Sequence, residues 1–225
     1  MPGGTTWGRW LAGKAMPLAI CALLALTVGQ GVRDDAARLM REGPGLFPAL
    51  GLVRRCLTLL FVVLIASSYL TRGRVVTAAR GFGERIFPVL VLLAGPIGVV
   101  FLGRHDLPDR PGPAALGLLI AIPGAGLSLW ALWHLRDSFS IMAEARRPVT
   151  TGPYRHVRHP LYLGEALMML GLCLMIGTLT ALLFWAALNA FQVVRARIEE
   201  GKLAGQFEEY RAYRERTRFI IPGVY

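Results

Sequence analysis

Charge is scarce in this chain. Only 17% of its 225 residues are Asp, Glu, Lys or Arg, where a soluble domain carries about 25%. A disordered chain needs high charge and low hydrophobicity, so that class is excluded. Collagen-like composition is absent, as are internal repeats and low-complexity segments. The three cysteines, Cys21, Cys56 and Cys173, are odd in number and lie inside apolar segments. They make no disulfide framework and no metal-ligand spacing, and they read as small buried hydrophobes.

What is abundant is apolar. Hydrophobic residues reach 54% and mean hydropathy is +0.49. A polytopic membrane protein follows from that composition. The net charge of +11 accompanies no DNA- or RNA-reading motif. Basic residues gathered in cytoplasmic loops explain it, and no nucleic-acid partner is expected.

A spanning helix needs about 20 mostly apolar residues. Met16 to Val32 is the first such run, closed by Arg33-Asp34-Asp35. Gly29-Gln30-Gly31 makes a poor cleavage site, so the run reads as an uncleaved anchor. Ala49 to Leu70 is the second, with Arg54 and Arg55 expected to snorkel to the interface. Ile86 to Leu102 and Ala114 to Leu135 are the third and fourth. Leu161 to Val194 is too long for one span and suits two, turning at Gly177-Thr178. The expectation is an all-α integral membrane bundle of about six transmembrane helices, with a C-terminal helical hairpin and a cytoplasmic cofactor pocket. Six spans put 18 Lys and Arg on the side of the termini. The other side holds five, or seven with Arg54 and Arg55. This places both termini in the cytoplasm of a cytoplasmic-type membrane. Beyond Arg195 the tail is amphipathic. Leu203, Phe207 and Tyr210 fall at i, i+4 and i+7, and Tyr213 extends that face. It suits a helix lying on anionic lipid or a lid over a pocket.

Two polar constellations stand out. The first is Val149-Thr-Thr-Gly-Pro-Tyr-Arg-His-Val-Arg-His-Pro-Leu-Tyr-Leu-Gly164. Gly152-Pro153 breaks any helix, and Arg155, His156, Arg158 and His159 follow. Pro160 suits the first turn of the fifth span, whose free N–H groups attract anions. The second is Asn189, Gln192, Arg195 and Glu199, spaced to share one face of the sixth span. Polar groups at that depth face a partner or a cavity, unless Arg195 and Glu199 merely pair at a helix end. Glu165, beside the first motif, reads as a snorkelling or rim residue. His156 and His159 lack further His or Cys nearby, and no metal is expected.

These segments carry a resemblance. Gly152-Pro-Tyr-Arg, then Arg158-His-Pro-x-Tyr-x-Gly164, a hydrophobic pair of spans, Arg195…Glu199-Glu200 and Phe207-Glu-Glu-Tyr-x-x-Tyr213…Ile221-Pro222 follow in order. Together they resemble the isoprenylcysteine carboxyl methyltransferase / phospholipid methyltransferase family. Leu135…Ser138-Phe-Ser-Ile141 adds to the likeness. Residues 1–110 are then N-terminal spans without specific resemblance, and 111–225 a methyltransferase core. The resemblance implies S-adenosylmethionine as cofactor and a lipid or prenylated acceptor arriving from the bilayer. It implies that Gly152, Tyr154, His156, His159, Pro160, Tyr162 and Gly164 line the cofactor pocket. Glu199 or Glu200 would hold the cofactor's ammonium, with Glu199 preferred by helical phase. Arg195 would face the acceptor, and Tyr210, Tyr213 and Pro222 would close over the adenine.

An isoprenylcysteine carboxylate is the favoured acceptor. With a pKa of about 3.3–3.7 it needs no base, and Arg195 would capture and orient it. Arg195→Ala would then chiefly raise KM for an anionic acceptor. Phosphatidylethanolamine must first lose a proton, which His156, His159 or Glu199 would take. A small thiol is a further acceptor. A transporter would use Asn189, Gln192 and Arg195 to line a path, but inverted repeats are lacking. Binding of labelled S-adenosylmethionine separates an enzyme from a transporter or a non-catalytic partner.

Overall fold

The computed structural model describes residues 15–43, 45–70, 82–103, 111–135 and 149–221. Seven α-helices occupy the described residues: α1 Met16–Glu42, α2 Leu46–Leu70, α3 Phe82–Leu102, α4 Pro111–Leu135, α5 Pro160–Ile176, α6 Leu179–Gln206 and α7 Glu208–Arg216. A 3₁₀ turn at Gly152–Arg155 precedes α5. Among the described residues there is no strand, only one isolated parallel bridge between Val157 and Arg218.

Among the described residues, three stretches are long and apolar enough to cross a membrane: Pro48–Ser67, Gly112–Leu135 and Leu179–Gly205. Leu93–Leu102 and Pro160–Ile176 are shorter apolar helices. The chain is an integral membrane protein on this composition and helix length.

The closest packing joins α4 to α5. Gly117, Ala121, Gly124 and Ser128 recur every three or four residues along α4. They present a stripe of small side chains to Gly164, Met168, Gly171 and Met175 of α5. A Cβ on Gly124 would lie 2.4 Å from the backbone nitrogen of Met168. One on Gly171 would lie 2.3 Å from the Gly117 carbonyl oxygen. In lipid, where helix association has little hydrophobic drive, such backbone proximity supplies the dispersion energy. The buried core then gathers Phe61, Val62 and Ile65 of α2, Leu93 and Val99 of α3, Met168 and Leu172 of α5, and Ala181 and Leu188 of α6.

Gly177 ends α5 in the left-handed region at φ 71°. Thr178 starts α6, its hydroxyl accepting from the Ala181 N–H at 3.2 Å. That cap is worth about 1 kcal/mol. The indole of Trp185 donates to the Ala166 carbonyl at 2.9 Å, fixing α6 against α5.

Four expectations need correction. The first helix does not stop at Val32 but runs to Glu42. Its polar stretch is partnered, since Asp35 accepts from Arg55 Nε at 2.5 Å, and no helix breaker intervenes before Gly43. Arg55 therefore pairs across helices, while Arg54 is buried and donates to the Gly103 carbonyl at 2.8 Å. Neither arginine needs to snorkel. Cys21 and Cys173 are buried, but Cys56 is exposed. It shares a side of α2 with exposed Val53 and Val63, opposite the buried face of Arg54, Thr58, Phe61 and Ile65. Finally, Leu203, Phe207 and Tyr210 do not share one helical face. Phe207 is extended at φ −129°, ψ 118° and divides α6 from α7.

Candidate functional site

The loop before α5 is fixed first by its own backbone. Gly152 has φ +59°, and a Cβ there would lie 2.3 Å from the imidazole of His134. Glycine is required on both counts. The turn it opens buries Pro153 and Tyr154, with Tyr154 packed beside Ala131 and Leu161. His134 itself sits at the end of α4, its Nδ1 3.0 Å from the Trp130 carbonyl.

The tail after α7 then clasps the loop. Arg158 N donates to the Arg218 carbonyl at 2.8 Å and His159 N to the Phe219 carbonyl at 3.2 Å. Tyr213 donates from its hydroxyl to the Tyr154 carbonyl at 2.6 Å. Buried Tyr210 lies 5.7 Å from Tyr213, centroid to centroid. Burial is the leading cause that raises the hydroxyl pKa of Tyr154, Tyr210 and Tyr213, the last to about 12. All three stay neutral at physiological pH.

The two adjacent glutamates on α6 serve different ends. Buried Glu200 accepts from Arg158 Nε. It also lies 3.3 Å from His159 Nε2 and 3.9 Å from Arg214 Nε. The same Arg158 donates to the carbonyls of Arg214 and Thr217. Glu200 is thus the knot that ties loop, α6 and tail together. Glu199 keeps a side chain 34% exposed. Its two oxygens each lie 2.9 Å from the Tyr162 hydroxyl, and Arg195 Nε donates to it at 3.1 Å. The Arg195 guanidinium lies 5.3 Å from the Tyr162 ring centroid, and His159 stacks on that ring at 5.3 Å and 8°.

So the loop and the polar flank of α6 meet directly. His159, Tyr162, Arg195, Glu199 and Glu200 come together, with Tyr154 and Tyr213 behind them. Pro160 is buried at the first turn of α5. His156 is exposed and stands outside the cluster. Gly164 serves helix packing instead, since a Cβ on it would lie 2.5 Å from Ser128 Oγ of α4. Arg155 is exposed. Pro222 and residues 136–148 lie outside the described residues. Among the described residues no three His, Cys, Asp or Glu are grouped to hold a metal.

Sequence reasoning missed Phe219 and underrated Arg158 and Glu165. Phe219 packs edge-on against His159 at 5.2 Å and lies under Arg158 and Arg197 at 5.6 and 5.5 Å. Its signal, an aromatic residue just before the tail's Ile-Ile-Pro, is too common to stand out. Glu165 is buried, not at a rim, and accepts from Gln192 Nε2 at 3.3 Å.

The cluster offers several polar groups to a ligand. Glu199 is a part-exposed carboxylate suited to an ammonium or ribose hydroxyls. Buried Arg195 Nη1 and the buried Tyr154 hydroxyl have no hydrogen-bond partner among the described residues. They are a donor for a carboxylate and a donor or acceptor for a sugar or base.

Residues 113–210 match the phospholipid methyltransferase family. A 108-residue stretch is 35% identical to the cobalt-zinc-cadmium resistance protein CzcN of Cupriavidus metallidurans. It covers 47% of this chain and 50% of that protein. The chain thus spans about half the length of this curated relative.

Proposed function

We propose that this protein transfers a methyl group from S-adenosylmethionine to a lipid-associated acceptor at the membrane surface. The observation that carries the reading is the junction of Tyr162 and Arg195 on Glu199, 2.9 and 3.1 Å away, inside the segment matched to phospholipid methyltransferases. The proposed architecture is a six-span bundle with α5 and α6 as its hairpin. Both termini and the pocket face the cytoplasm, as the basic loops imply.

S-adenosylmethionine, when bound, supplies the activated methyl on its sulfonium. The protein's service is positioning, because a nucleophile needs only alignment behind that carbon. Glu199 holds the cofactor's ammonium, and Arg195 Nη1 meets its carboxylate or an anionic acceptor. Glu200 is occupied by Arg158, His159 and Arg214, so it holds the pocket's shape rather than the ligand. Apolar surroundings favour a reaction in which charge is spread or lost.

The matched family supports an aminophospholipid as acceptor, with loss of the ammonium proton before transfer. The isoprenylcysteine carboxylate is the second reading, favoured by the buried and unpartnered Arg195 Nη1. The test is purified protein in nanodiscs with methyl-labelled cofactor and separated phospholipid, prenylcysteine and thiol pools. Label is expected in the lipid pools. Failure to bind labelled cofactor at all would end the enzyme reading.

A further inference from the structure

The clasp between the loop before α5 and the tail after α7 has a cationic outer surface. Arg155, Arg197, Arg214, Arg216 and Arg218 are all exposed there. Glu215 is the exposed acid among them, while Glu208 and Glu209 stand at the other end of α7. The fold brings these charges together. The bridge of Val157 with Arg218 and the bond from Arg218 N to the His156 carbonyl lay loop and tail side by side. Arg214 and Arg216 suit the last turn of α7, where the helix dipole is negative. That explanation does not reach Arg155 or Arg197. Arg158 and Arg214 share Glu200. Among the described residues no carboxylate lies within ion-pairing distance of Arg155, Arg197 or Arg216. Cations gathered in this way repel one another unless an anion joins them.

The height of the clasp against the bilayer follows from α6. Phe191, Val194 and Ile198 are exposed and share one face of that helix. They lie within the apolar stretch Leu179–Gly205, and Ile198 is the last large apolar side chain exposed on α6. Arg197 stands beside it. Its stem can lie along apolar surface while the guanidinium reaches the head groups. That guanidinium lies 5.5 Å from the ring centroid of Phe219 in the tail. Phe219 is buried, and Ile221 is exposed two residues on. The tail's end is thus tied to the level where acyl chains give way to phosphates. The basic clasp, rather than a face of α7, is what meets the leaflet.

We propose that the clasp docks on anionic phospholipid head groups of its own leaflet, whose phosphates gather Arg155, Arg197 and Arg216 and hold loop and tail together. Each basic residue near an anionic surface strengthens such attraction by about fivefold, and salt weakens it. The lipid here is a bound partner and not a methyl acceptor. The proposal goes beyond the methyl-transfer reading, and its test contains no cofactor.

The experiment uses the full chain in nanodiscs of phosphatidylcholine, with or without one-third phosphatidylglycerol. Amide hydrogen exchange is followed by mass spectrometry across the loop and the tail, where Arg158, His159 and Arg218 donate backbone bonds. Phosphatidylglycerol is expected to slow exchange there at least threefold, and high salt to remove the effect. Arg155→Gln with Arg216→Gln should abolish most of the slowing. Arg41→Gln, in the last turn of α1, should leave it intact. The ratio of rates between the two lipids is what is read, so a variant whose clasp is looser in both remains decisive. Equal exchange in the two lipids, full slowing retained in the double variant, or loss of slowing in Arg41→Gln would overturn the proposal. So would full slowing by inorganic phosphate in phosphatidylcholine nanodiscs, which would make the partner a soluble anion.

Discussion

Tyr162 places its hydroxyl on both oxygens of Glu199, and its ring lies under Arg195. One side chain therefore orients the two charged groups assigned to the ligand. A hydrogen bond to a charged group contributes about 1.5–3 kcal/mol. Tyr162→Phe keeps the ring and removes that bond, so S-adenosylmethionine affinity should fall about tenfold and the melting temperature should fall as well. Isothermal titration against thermal unfolding separates the two. The neighbouring glutamates should behave oppositely. Glu199→Gln should weaken cofactor binding and leave the melting temperature near that of the parent. Glu200→Gln should lower the melting temperature, because Arg158 and Arg214 lose their shared anion. Equal effects from both substitutions would contradict this division. That both glutamates matter is visible in Glu199-Glu200. Which one is available is not, because successive helical residues point about 100° apart and only the packing against α5 sets the phase.

The element that closes the site is the tail, held to the loop by Tyr213, Arg158 and the bridge at Val157–Arg218. The raised hydroxyl pKa of Tyr213, about 12, stands above the free value near 10. Its neutral form therefore stabilises the clasp fully below pH 10. That contribution is lost as pH rises through 12. Proteolysis after α6, followed together with tyrosinate absorbance, should report tail release in that window and none between pH 6 and 9. The α4–α5 seam makes a second prediction at this scale. Gly171→Leu forces the helices apart against backbone 2.3 Å from the new Cβ. Overpacking of this kind costs at least roughly 1–3 kcal/mol, and loss of heat-resistant monodisperse protein in detergent is the measurement. The seam's glycines were legible as residues, and so was Gly164 within the motif. Its duty to helix packing was not, because the partner stripe lies some forty residues upstream on α4.

For the molecule as a whole, the acceptor decides the response to pH. An amine must be deprotonated before it attacks, so kcat/KM should climb steeply between pH 6 and 9. A carboxylate is ionised throughout and gives a flat profile. Product identification must accompany the measurement, since a thiol would also give a rise. The apolar runs and their punctuation announced the helices well, because lipid demands that every backbone group be satisfied within a segment. Their ends were announced less well. Asp35 reads as a stop until Arg55 of the next helix is known to neutralise it, and Phe207 reads as part of one continuous face until its extended backbone is seen.

Local chemistry in the order of residues determined a great deal here: a membrane-embedded helical chain, a cationic proline-capped loop and a polar flank on the last long helix. Those features follow from hydropathy, helix-breaking residues and spacing, all written within short stretches of chain. Only the tertiary structure decided that Glu200 ties the tail while Glu199 stays part-exposed, that Arg54 is buried, and that Glu165 is buried against Gln192. Each of these depends on how distant helices rotate against one another, and that rotation is set by close packing across the whole bundle.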